Sequence, residues 1–167
     1  SVQYYNPKVF SLYNGVVNDR NGVPLSDVIV SFHNQPEYGS VITDNNGQFI
    51  IPGEAGNRTL VYSKNGYLTV HRAVVSANNS WTPLEDVTLL AGDTKKTAID
   101  LTGGAVQVHK STIVNDVFGE RSTTLVFNGV TSATVTSKNG NSRNLTDFFV
   151  QATEYELPSS MPADLPE

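Results

Sequence analysis

Gly15-Val-Val-Asn-Asp-Arg-Asn-Gly-Val-Pro-Leu-Ser-Asp-Val-Ile-Val-Ser-Phe32 decides the fold class of this chain. The stretch opens on a β-branched pair, breaks at Asn21-Gly22 and resumes with strict alternation: Val28, Val30 and Phe32 fall on one face, Ile29 and Ser31 on the other. Period-two alternation marks a half-buried strand. Asn and Gly both tolerate the positive φ that tight turns between twisted strands require. The dipeptide recurs at Asn14-Gly15, Asn46-Gly47, Asn65-Gly66, Asn128-Gly129 and Asn139-Gly140, six copies with Asn21-Gly22, and runs rich in Val, Ile, Thr, Phe and Tyr lie between them. No window repeats apolar residues at helical spacing between caps. The chain is expected to be all-β.

Working outward from that stretch, strands are predicted near 9–18, 27–33, 39–43, 48–51, 58–63, 67–75 and 84–90. Short strands at such regular spacing fit a two-sheet sandwich whose inner faces interdigitate. The polar run Ala91-Gly92-Asp93-Thr94-Lys95-Lys96 breaks the pattern, and a second set follows near 97–101, 105–114, 121–127, 131–137 and 147–157. The expected organisation is an N-terminal arm (1–13), a β-sandwich (14–92), a second small β-domain (97–157) and a Pro-rich acidic tail (158–167). Gly15, Gly22, Gly39, Gly47 and Gly66 are the expected turn residues, with Val28, Val30, Phe32, Phe49 and Tyr67 in the core. A second domain of this size makes a marginal core alone, so it is expected to lean on the first domain or on something outside this chain.

Charge narrows the function classes. The 167 residues carry 11 basic and 16 acidic side chains. The excess lies wholly in the last 21 residues, in Asp147, Glu154, Glu156, Asp164 and Glu167, leaving 1–146 balanced. A chain without a basic stripe is a poor nucleic-acid partner. No apolar run approaches the roughly 18 to 20 residues that span a bilayer, and with no cysteine in the chain, disulfides and thiolate metal sites are excluded. The chain starts at Ser1 with no charged and apolar leader, so any export signal is expected to have been removed or to lie outside it.

Motifs that carry chemistry are weak. Asp44-Asn45-Asn46-Gly47 begins like a calcium loop, but Ala55 stands where the bidentate Glu is needed, and a hairpin turn is the better account. His33 and Glu37 have a helical ligand spacing that Pro36 forbids, and His71 and His109 sit in separate strand-like segments. No G-x-S-x-G elbow or phosphate loop is present, so no catalytic, cofactor-binding or metal residue is assigned. The sequons at Asn57, Asn78 and Asn144 carry little weight in a chain this rich in Asn and Thr. Tyr4, Tyr5, Phe10 and Tyr13 crowd the N-terminal segment. They read either as a first strand with its lead-in or as an arm that docks on another subunit's sheet edge.

The stretch from Gly15 to Phe32, the T-D-x-x-G-x-F run Thr43 to Phe49 and the K-x-G-Y run Lys64 to Tyr67 together resemble the carboxypeptidase regulatory-like family. Val30 to Gly39, with Pro36-Glu37-Tyr38-Gly39, is similar to the version in teneurins and bacterial Rhs (YD-repeat) surface proteins; residues 97–166 look like the β-rich region that follows it there. The resemblance implies a transthyretin-like, Ig-like β-sandwich without cofactor, serving as a non-catalytic structural or assembly module at the cell surface or in secreted form. Its partners would be proteins, either neighbouring domains of a larger chain or further copies joined as a filament or adhesin by edge-strand exchange of the termini. The alternative is an accessory module binding glycan or protein through Trp81, Tyr38 and Tyr5.

Overall fold

A computed structural model describes residues 9–116 and 119–154, which fall into two compact units, 9–91 and 92–154. The first holds β1 (Phe10–Asn18), β2 (Ile29–Phe32), β3 (Ser40–Ile42), β4 (Gln48–Glu54), β5 (Gly56–Ser63), β6 (Val70–Ser76), β7 (Ser80–Pro83) and β8 (Val87–Thr88). One sheet runs β4-β1-β7, with β8 also paired to β1; the other runs β3-β2-β5-β6. β1 is antiparallel to β4 and parallel to both β7 and β8. The core between the sheets takes Tyr13 and Val17 from β1, Phe49 and Ile51 from β4, Val30 and Phe32 from β2, and Leu60 and Tyr62 from β5. Tyr13 meets Phe32, and Phe49 meets Tyr62, edge to face. Tyr67 is only partly buried and packs against this cluster.

Two turns are built alike. Asp19 Oδ1 accepts from the amides of Asn21 and Val23, and Asp44 Oδ1 from those of Asn46 and Gln48. Each closes on a glycine of positive φ, Gly22 at 76° and Gly47 at 70°. At Gly47 space matters as well, since an added Cβ would lie 2.3 Å from the carbonyl oxygen of Val17. Buried Thr43 joins the second turn to the first by donating to Leu25 O and accepting from Val28 N. Gly39 and Gly66 also have positive φ.

Gly15 departs from its expected turn. It lies inside β1, opposite Phe49, in a register that runs unbroken from Phe10↔Glu54 to Val16↔Gln48. What the position requires is room: a Cβ there would stand 3.1 Å from the Phe49 ring. The expected arm is corrected at the same place. β1 begins at Phe10, and Tyr13 is completely buried, its hydroxyl 2.7 Å from both Glu54 O and Ser76 Oγ. Tyr4, Tyr5 and the tail 158–167 lie outside the described residues.

Among the described residues the second unit has four antiparallel ladders: β9 (Thr97–Asp100) with β16 (Asp147–Val150), β10 (Gln107–Lys110) with β13 (Thr124–Phe127), β11 (Val114–Asp116) with β12 (Gly119–Arg121), and β14 (Thr134–Thr136) with β15 (Ser142–Asn144). Asp93 sets where several of these strands stop. Its carboxylate accepts from the Thr112 amide and hydroxyl at 2.6 Å each, which draws the chain out of the ladder between β10 and β11. Its own amide donates to Thr153 Oγ1, and its carbonyl accepts from the Gln151 side chain, so the strand expected over 147–157 ends at Val150. Glu154 pairs with Arg121 at 2.9 Å. Ile99, His109 and Ser111 are buried, and the Phe127 and Phe148 rings pack edge to face at 5.6 Å.

Candidate functional site

Strand alternation gives the first sheet an outer face with exposed apolar side chains. In β1 the inward residues are Ser11, Tyr13 and Val17, so Leu12, Asn14 and Val16 face outward. The register sets Trp81 of β7 beside Leu12, and Ile50 of β4 opposite Asn14. Trp81 is 57% exposed, and Ile50 and Ile42 are exposed with it. These residues line an open groove of about 670 Å³ together with Asn14, Gln48 and Asp86. Asp86 is held by the Asn18 amide at 3.4 Å. Asn14 Oδ1 is buried in the groove lining without a hydrogen-bond partner. An aromatic plate among aliphatic groups, with amide and carboxylate oxygens around it, suits stacking and hydrogen bonding.

Tyr38 does not join this face. It packs edge to face on Phe32 at 5.4 Å; burial and the Glu54 carboxylate push its phenol up to about 12. Burial also raises the Tyr62 hydroxyl, which has no hydrogen-bond partner. Of the aromatics proposed as ligand contacts, Trp81 therefore stands on the groove, Tyr38 belongs to the core margin and Tyr5 is outside the described residues. The groove's other members were missed in the sequence. Extending the alternation from Val17 back through Gly15 and Tyr13 would have turned Asn14 outward, whereas its neighbour in the parallel strand could not be read from spacing.

The histidines are arranged differently from their separation in sequence. His33 and His71 bring their ring centroids to 5.1 Å, while His109 is buried with Nδ1 2.9 Å from Thr97 Oγ1. Among the described residues no group of three or more His, Asp or Glu side chains is gathered for a metal. In the second unit Val108 and Val126 are paired across β10 and β13, and both are exposed, as is Phe149.

Comparison with known proteins places the first unit. The sequence profile of the Teneurin TTR-like domain matches residues 5–89, which bears out the transthyretin-like resemblance. Among solved structures, an interface mutant of a type II cohesin-X-dockerin complex from Acetivibrio cellulolyticus is 26% identical over 50% of this chain and 59% of that one, with a TM-score of 0.41. The streptococcal ancillary pilin is 14% identical over 89% of this chain and 60% of that one, at 0.43. A 3-chlorocatechol 1,2-dioxygenase from Rhodococcus opacus 1CP is 15% identical over 50% and 60%, at 0.38. The matches thus take in about three-fifths of the length of those solved chains. Among the described residues no helix is long and apolar enough to cross a membrane. With half of its length covered by the family profile and a two-sheet sandwich across that span, the chain belongs to the Teneurin TTR-like domain family.

Proposed function

We propose that this chain is a non-catalytic extracellular structural module, part of a Rhs- or teneurin-like surface protein, and that it works by protein contact through the Trp81 face. The observation that carries the reading is that Ile50 and Trp81, on the outer face of one sheet, and Ile42, on the edge strand of the other, line one open groove, where a structural domain otherwise gains nothing from leaving large apolar groups in water. Family membership in a structural TTR-like domain supports the absence of catalysis. Of the expected edge-strand exchange by the terminal segments, 1–13 or 158–167, the part that would use Phe10 and Tyr13 has lost its support, since withdrawing Tyr13 would empty the core. The docking face and the edges of the sheets take its place. Sedimentation velocity over a wide concentration range tests this. Wild-type chain is expected to associate, and Ile50→Lys and Trp81→Ala to remain monomeric with unchanged circular dichroism. Equal association in all three would remove the face from the proposal.

A second reading, glycan binding, is favoured by the unpartnered Asn14 Oδ1 and by Gln48 and Asp86 around the indole, groups that match vicinal hydroxyls on a stacked sugar. A glycan array separates the two readings. Binding lost on Trp81→Ala and on Asn14→Leu supports the sugar, and a blank array leaves the protein contact.

A further inference from the structure

We propose that His33 and His71 form a two-imidazole site for a borderline transition-metal cation of the Zn²⁺ or Cu²⁺ class. The topology makes the pair. β5 lies between β2 and β6, with Ser31 and His71 both in register with Val61. Alternation turns Val30 and Phe32 inward from β2, Leu60 and Tyr62 from β5, and Val70 and Val74 from β6. The outward set is therefore His33, Val61 and His71, on the face away from the core. His33 is fixed just past the end of β2 by its amide, which donates to Thr59 O at 2.8 Å. The two imidazoles, from strands on either side of β5, come to a centroid separation of 5.1 Å with planes at 54°.

That separation, within the ordinary range of packed rings, is also one that a shared ion accommodates. With metal–nitrogen bonds of about 2.0–2.1 Å and a tetrahedral angle, two coordinated imidazole rings have centroids roughly 5 Å apart. His33 is exposed and His71 half-buried, so an ion has access, and the positions the two rings leave open go to water or to donors of a second molecule. Imidazole nitrogen selects the borderline cations, with Cu²⁺ bound most tightly, over Mg²⁺ and Ca²⁺, which prefer oxygen. Sequence spacing conceals the site, because 38 positions separate the two residues (71 minus 33) and a third strand joins them.

The test is titration of the full chain with Zn²⁺ and, separately, Cu²⁺. Binding is followed by calorimetry and by the ring ¹H–¹⁵N resonances of all three histidines. One ion per chain is expected, with the His33 and His71 rings shifting together and His109 unmoved, and Mg²⁺ giving no response. His33→Ala and His71→Asn should each weaken binding by about 30-fold or more, as loss of one arm of a chelate does, with the apo thermal midpoint unchanged. Three outcomes overturn the proposal: no binding in the wild type; unchanged affinity in either single variant; or two independent equivalents in the wild type falling to one in each variant.

Discussion

Tyr13 shows how much one side chain can connect. Its ring is buried against Phe32, and its hydroxyl reaches Glu54 O on the neighbouring strand of its own sheet and Ser76 Oγ on the last strand of the other. One phenol thereby ties both layers at the rim of the sandwich. Tyr13→Phe keeps the packing and leaves the Glu54 carbonyl short of a donor. It is expected to lower unfolding free energy by about 1–2 kcal/mol, read from urea denaturation with an unchanged slope. The role was hidden in the sequence by Asn14-Gly15, which has the composition of a hairpin turn and so made the preceding aromatics look like an arm. Val28, Val30, Phe32 and Phe49 were legible because each alternates inside a short run flanked by turn residues, and all four are buried.

At the scale of elements, hydrogen bonds to single aspartates set strand ends more than propensity does. Asp93 draws Thr112, Gln151 and Thr153 to itself and so splits one expected strand and shortens another. Partial desolvation pushes its carboxyl up, but the donated hydrogen bonds from Thr112 and the Lys95 amide outweigh this and hold it below the ordinary carboxylate range. Asp100 is lowered too, by the Thr102 hydroxyl and amide. The direction of linkage follows. A carboxyl lowered in the folded state contributes stability that is fully present above its unfolded value, about 3.9, and is lost as pH falls through its folded value. The second unit should therefore weaken below about pH 4. Asp93→Asn should flatten that loss in thermal unfolding followed from pH 6 to pH 3. A variant with the wild-type acid slope would assign the loss to other groups. These side-chain bonds reach 19 to 60 positions along the chain, beyond what local alternation can show.

Across the whole molecule the two units differ in how they are held. The first encloses a continuous core drawn from both sheets; in the second, strands β14 and β15 are exposed along their whole length and only three described residues are buried. Hydrogen exchange followed by mass spectrometry should show the slowest amides in β1, β2 and β5 and the fastest in β14 and β15. Uniform protection across 97–150 would contradict that ranking. The two-sheet class was legible, since it rests on local pattern. The pairing of β1 with β4, β7 and β8 was not, because spacing along the chain does not name a strand's distant neighbours.

That pairing also sets an order of events during synthesis. The sheet β3-β2-β5-β6 is made of strands that emerge within a single stretch, Ile29 to Ser76. β1 emerges before all of them, yet its parallel neighbours end at Thr88. β1 therefore finds its antiparallel partner once Glu54 has been made, while its other edge stays unpaired until the last strands of the unit follow.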